Sequence, residues 1–97
     1  MKTLNEAKQI LKKNKPVLKT KFDVKEIGIF GSIVRSKAKK RSDVDILVEF
    51  NKVPGIFEFI DLEDYLQKVL KKKVDLVRKK ALRPELRDSI LEETIYI

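Results

Sequence analysis

The chain has 97 residues, with 23 Lys and Arg against 15 Asp and Glu, a formal net charge of +8, and neither Cys nor His. The missing residue types exclude disulfides, thiolate or imidazole metal sites, cysteine nucleophiles and histidine bases, so any chemistry depends on carboxylates, Lys, Arg, Tyr, Ser and Thr. The length predicts one small domain over residues 1–97, and no apolar run approaches the roughly 20 residues of a membrane helix.

The first segment is lysine-rich and predicts two helices. Thr3 and Glu6 form a capping-box pattern for a helix over residues 3–14, and Pro16 predicts that a second short helix begins there. We interpret the lysines as a solvated face, with a basic groove as the alternative. Because residues 1–3 lead into a polar helix and not into an apolar signal sequence, we expect a cytoplasmic protein without a membrane anchor.

A Gly-Ser pair follows the first predicted strand, which covers residues 24–30. Gly31 has no side chain, so a phosphate can approach its backbone closely. Ser32 would open a short helix that continues to about residue 37, where free N–H groups attract anions. Arg35 lies one turn later and can face a phosphate or pair with an acidic neighbour. A Gly-Ser pair alone is more often an ordinary turn.

Two aspartates open the second predicted strand, which covers residues 43–50. Side chains two positions apart on a strand share a face, about 7 Å apart, so Asp43 and Asp45 project together. They repel each other unless a cation lies between them, and oxygen ligands suit Mg²⁺, which completes its shell with substrate phosphates. Ser42 precedes this strand, and its hydroxyl can fix the backbone that enters the site. An Asp-X-Asp pattern alone is more often a solvated strand entry.

The rest of the chain predicts a helix over residues 57–70, a strand over residues 74–78 and a helix that begins at Pro84. Asp75 lies in the short third strand and points away from its apolar neighbours, which in isolation indicates an ion pair. The apolar residues 94–97 are typical of a strand that docks onto its own sheet or onto a partner.

The spacing G-S-x10-D-x-D between two patterned strands resembles the minimal nucleotidyltransferases, the smallest members of the DNA polymerase beta superfamily. The resemblance covers nearly the whole chain. Many members have glycine after the arginine, where this chain has Ser36, and that departure affects the path of the loop but not the metal ligands. The matching residues are Gly31, Ser32, Arg35, Ser42, Asp43, Asp45 and the apolar run 46–48.

The resemblance implies an α/β fold, with a small mixed sheet and helices packed mainly on one face. It also implies Mg²⁺-dependent transfer of AMP from ATP. Gly31 and Ser32 would hold the β- and γ-phosphates, helped by Arg35 and Ser42. The carboxylates of Asp43, Asp45 and Asp75 would hold one or two Mg²⁺ ions, and Asp75 would also activate the attacking hydroxyl.

The resemblance further implies a partner. Minimal nucleotidyltransferases are often antitoxins that silence a HEPN-domain ribonuclease toxin by transferring AMP to one of its tyrosines. Two alternatives remain: an antitoxin that masks its toxin without chemistry, and a basic nucleic-acid-binding protein. The second alternative calls for aromatic residues interleaved with basic ones, whereas the aromatic residues here occupy mostly apolar periodic positions.

Overall fold

A computed structural model describes residues 3–35 and 43–97. The strands are β1 (Val24–Phe30), β2 (Val44–Phe50), β3 (Val74–Arg78) and β4 (Ile95–Tyr96). The helices are α1 (Leu4–Phe22), α2 (Ile56–Leu70) and α3 (Pro84–Glu93), and a 3-10 turn covers Lys79–Ala81. The predicted bounds of β1 and β3 are confirmed, and β2 and α2 each differ from the prediction by one residue at the start. No helix in these two ranges is long and apolar enough to cross a membrane.

The four strands form a small mixed sheet, as the resemblance implied, and their order is β3-β2-β1-β4. β1 pairs antiparallel with β2 and β4, whereas β2 and β3 are parallel. A parallel pair needs a long crossover, and α2 provides it. The register of the parallel pair sets Asp45 beside Asp75, so two of the predicted site residues are direct neighbours on adjacent strands.

The hydrophobic core lies between one face of the sheet and the helices α1 and α2. Alternate residues of β2, namely Val44, Ile46 and Val48, point into this core and are at most 1% exposed, whereas Asp45 projects from the opposite face. The helices pack on the same side through aliphatic residues that are fully buried: Ala7, Leu11, Leu18, Leu62, Leu66 and Leu70.

The predicted break before Pro16 is wrong, because α1 is continuous and contains this proline. A proline inside a helix removes one backbone hydrogen bond and costs about 3 kcal/mol. Leu11 and Leu18 lie two turns apart on the same face and are both fully buried, so the burial of the second half of the helix outweighs this cost. The predicted start is confirmed, since the Glu6 N–H donates to Thr3 Oγ1 at 3.2 Å.

The predicted short helix after Gly31 is only a turn in the part that the structure describes. The N–H groups of Val34 and Arg35 both donate to the Gly31 carbonyl, at 3.1 and 3.2 Å. The end of the predicted helix and Ser42 both fall within residues 36–42, outside the described ranges.

The apolar segment 94–97 docks onto its own sheet, which resolves the two alternatives for it. β4 pairs with β1 through Gly28 and Ile29, and Lys15 Nζ donates to the Ile97 carbonyl at 2.8 Å. The last helix contributes no buried residue to the core. Leu82 precedes α3, Leu86 is 48% exposed, and no residue of α3 is buried.

Candidate active site

Gly31 begins the turn at the end of β1 and is required there for two physical reasons. Its φ of +81° lies in the left-handed region, which strains any residue with a side chain. A Cβ atom at this position would also overlap the carboxylate of Asp45 and lie 2.9 Å from its Cγ. The missing side chain therefore lets the turn and the Asp45 carboxylate come into direct contact.

Glu93, the last residue of α3, holds both ends of this turn. Its Oε2 accepts a hydrogen bond from the Gly31 N–H at 3.0 Å, and its Oε1 lies 3.4 Å from Arg35 Nε. The ion pair predicted as one alternative for Arg35 is therefore confirmed. Sequence reasoning missed Glu93, which follows Gly31 by 62 residues and belongs to no local motif.

Asp45 and Asp75 lie side by side across the parallel strands, as direct partners in the register. Burial, together with the negative charges of Asp75 and Asp43, raises the pKa of Asp45 from 3.8 to about 6, while the Arg35 charge opposes the shift. Asp43 lies directly before β2 and is exposed, as is Asp75. The sequence around Asp75, considered in isolation, indicated an ion pair. Its partner across the strands is instead Asp45, so the two residues form an acidic pair.

The chemistry of these side chains fits a hard divalent cation. Two carboxylates side by side on adjacent strands repel each other unless they share a proton or bind a cation, and oxygen ligands favour Mg²⁺. Within residues 3–35 and 43–97, no three acidic side chains already converge as a complete metal site. A cation would therefore rely on Asp45 and Asp75 with further oxygen ligands, and Mg²⁺ usually takes such ligands from substrate phosphates and water.

A separate cavity of about 430 Å³ lies between the end of α1 and α2. None of the six predicted site residues that the structure describes lines it. Its lining carries four carboxylates against two lysines, and this excess of negative charge repels phosphates. We therefore assign no nucleotide to it. The carboxylates belong to Asp23, Glu58, Asp61 and Asp64, and the lysines are Lys21 and Lys68.

The comparison with known families decides what kind of protein carries this site. A model of the nucleotidyltransferase domain family matches residues 5–97. The chain belongs to this family. It is therefore a nucleotidyltransferase, in agreement with the resemblance carried by the Gly-Ser and Asp-X-Asp motifs.

Relatives of this nucleotidyltransferase match it along its full length. Protein adenylyltransferase MntA of Thermococcus cleftensis is 46% identical over 97 residues, which cover 100% of this chain and 98% of the relative. The MJ0128 protein of Methanocaldococcus jannaschii, named in the same class, is 50% identical over 98 residues, with both chains fully covered.

Solved structures confirm the nucleotidyltransferase fold. A minimal nucleotidyltransferase has 28% identity and a TM-score of 0.74, with 92% of this chain and 93% of the other covered. A toxin–antitoxin complex with AMP-PNP has 23% identity and a TM-score of 0.68, with 95% and 69% covered. A complex of tri-AMPylated Shewanella oneidensis HEPN toxin with its MNT antitoxin has 22% identity and a TM-score of 0.59, with 95% and 66% covered. The last two likenesses are evidence of fold alone.

Proposed function

We propose that this nucleotidyltransferase transfers AMP from ATP to a tyrosine hydroxyl of a HEPN-type toxin and so acts as an antitoxin. The observation that carries the proposal is the contact between the Gly31 turn and the acidic pair. A turn that suits phosphate thus meets carboxylates that suit Mg²⁺ at the end of one strand pair. The adenylyltransferase names of full-length relatives and the AMPylated HEPN complex of a structural neighbour support the choice of nucleotide and acceptor.

The triphosphate would be held by the turn and by Ser42. Among the described residues no acceptor lies within hydrogen-bonding distance of the Ser32 or Ile33 N–H, whereas the Gly31 N–H already donates to Glu93. The phosphate would therefore accept from Ser32 and Ile33, while Gly31 contributes close approach. Arg35 would add a charge-assisted contact through its terminal nitrogens.

Asp43, Asp45 and Asp75 would hold one or two Mg²⁺ ions. When bound, Mg²⁺ stabilises the charge that develops on the α-phosphate and on the leaving pyrophosphate. Asp75 is the exposed member of the acidic pair, so it is accessible to the acceptor. We propose that Asp75 accepts the proton of the attacking hydroxyl. The hydroxyl oxygen forms the bond to the α-phosphorus as the bond to pyrophosphate breaks.

The partner would contact an exposed apolar patch at the start of α2, because the apolar segment 94–97 is occupied by its own sheet. The patch comprises Val53, Ile56, Phe57 and Ile60, which are 70%, 71%, 80% and 42% exposed. Clustered apolar residues at such exposure are typical of protein–protein interfaces. Replacing Phe57 and Ile60 by serine should abolish the complex but not ATP binding, whereas Leu86→Ser, at an exposed apolar residue of α3, should leave both intact.

Co-expression with a HEPN-type protein encoded beside this chain, followed by intact-mass measurement, tests the proposal. With ATP and Mg²⁺ the partner should gain one or more AMP units, and the gain should disappear in EDTA or with Asp45→Asn. A complex without any mass gain would indicate an antitoxin that only masks its toxin. No complex, together with RNA or DNA binding that weakens steeply with salt, would favour the nucleic-acid-binding alternative.

A further inference from the structure

The Glu93 carboxylate joins two parts of the chain that are distant in sequence. Its side chain is 19% exposed, and both of its oxygens have partners at the Gly31 turn. The backbone on either side is fixed. The Thr94 N–H and Oγ1 both donate to the Ile90 carbonyl, at 3.0 and 2.6 Å, and β4 begins at the next residue. Glu93 is therefore held in place and is not a freely moving surface side chain.

The two groups that Glu93 contacts are the first and last residues of the turn. Its bond to the Gly31 N–H fixes where the turn begins, and its pairing with Arg35 Nε fixes where it ends. Between these points the Ser32 and Ile33 amides have no acceptor among the described residues. Because the guanidinium is planar, a partner on Nε also orients the terminal nitrogens.

We propose that Glu93 is a positioning residue for the nucleotide, an inference that depends on the proposed triphosphate site at this turn. It fixes the turn so that the Ser32 and Ile33 amides and the terminal nitrogens of Arg35 face the phosphates. Pre-organised donors bind an anion more tightly, because less ordering remains to be done when the ligand arrives. Glu93 also links the nucleotide to α3 and β4, which would otherwise be far from the chemistry.

A competing role for the same carboxylate would be to occupy the anion site and to leave when the nucleotide enters. The structure favours positioning, because the Glu93 side chain is only 19% exposed, the segment after it enters β4, and its charge is paired with Arg35. The two roles predict opposite changes in affinity, since removal of a competitor tightens nucleotide binding and removal of a positioning residue weakens it.

The test compares Glu93→Gln, Glu93→Ala and a matched control, Glu92→Gln, at an exposed glutamate of the same helix. ATP binding is measured by calorimetry with Mg²⁺ at a temperature where every variant is folded. Glu93→Ala should weaken binding about tenfold or more, because it removes a charge-assisted contact at each end of the turn. Glu93→Gln keeps one acceptor and should fall between Glu93→Ala and the wild type, and Glu92→Gln should match the wild type.

Hydrogen exchange adds a measurement that a purely structural role would not change. Bound nucleotide should slow amide exchange across α3 and β4 in the wild type, and this protection should be reduced in Glu93→Gln, because coupling between two sites is reciprocal. A lower melting temperature with wild-type affinity and protection would overturn the proposal, and so would tighter binding by either variant. If the wild type itself bound no ATP, the proposed function would fail as well, which separates the two conclusions.

Discussion

Ile46 and Asp45 are neighbours on β2 that point to opposite faces of the sheet and have different roles. Ile46 points into the core and is fully buried, whereas Asp45 lies on the opposite face, is partly exposed and has a pKa raised to about 6. The helices α1 and α2 pack against the Ile46 face, whereas the Asp45 face also carries Leu47, which is 1% exposed. Burial of aliphatic residues on one side thus stabilises the fold, and this stability tolerates the cost of clustered carboxylates on the other side.

We therefore expect that stability and activity can be changed separately at adjacent positions. A change at Ile46 should affect mainly the free energy of unfolding, and a change at Asp45 should affect mainly nucleotidyl transfer. The same separation is expected for β3, where Asp75 is exposed between the buried residues Val74 and Leu76. Each of the following substitutions tests one side of this comparison.

The largest effect is expected for Asp45→Asn. It removes the charge of a metal ligand with little change in volume, so transfer should fall by at least about 10³-fold, in line with the several kcal/mol that a bound metal supplies. Unfolding free energy at neutral pH without metal should stay equal or rise, because burial disfavours the charged carboxylate. The adjacent control Ile46→Val should cost about 0.5–1.5 kcal/mol of stability and leave transfer unchanged. Unfolding of the Asp45→Asn variant would contradict the expected separation of stability from activity.

Asp75→Asn should separate binding from chemistry. Triphosphate binding should persist, because the turn and the other two aspartates remain, whereas transfer should drop by at least about 10²-fold with the loss of an acid–base group. Calorimetry with ATP and Mg²⁺, together with the transfer rate, measures the two effects independently. Normal transfer by this variant would return Asp75 to a structural role.

Gly31→Ala should impair transfer roughly 10- to 10²-fold through geometry alone, because its Cβ displaces the Asp45 carboxylate and small misplacements cost that much. The positive φ adds strain, so some stability should also be lost. Gly55→Ala is the matched control. A Cβ at that residue meets only Glu58 Oε1 at 3.8 Å, and the residue has no positive φ. Equal activities of the two variants would contradict the close contact between the turn and Asp45.

The smallest expected effect is the pH dependence of the metal-free protein. The pKa of Asp45 is 3.8 in the unfolded reference and about 6 in the fold, so between these values the folded state holds more protons. Stability in EDTA should therefore decline as pH rises from about 4 to about 6 and change no further through this group above that range. Solvent screening of the partly exposed carboxylate makes the decline modest. Denaturant titrations across this pH range should show the decline in stability for the control variant Asp61→Asn. The decline should be absent for Asp45→Asn.

Alternation of side chains made much of the sheet predictable. The pattern of apolar and acidic positions in β2 and β3 predicted the face on which each residue lies. The structure places Asp45 and Asp75 side by side, as the resemblance implied. The continuous α1 was not predictable from Pro16 alone, because the outcome depends on how well Leu18 packs. Glu93 was missed for a similar reason, since only the path of α3 and β4 brings it to Gly31.

The two-residue strand β4 has a consequence beyond its place in the sheet. Without it, the outer edge of β1 would expose unpaired backbone groups along an apolar strand, which is a template for pairing with other chains and for aggregation. β4 satisfies that edge through Gly28 and Ile29, and the Ile97 N–H donates to the Ile27 carbonyl at 2.9 Å. The new edge is only two residues long, with the ammonium group of Lys79 over the Tyr96 ring at 5.5 Å. A short edge beside a lysine disfavours pairing with a further strand. Residues 95–97 therefore protect the sheet against edge-to-edge polymerisation.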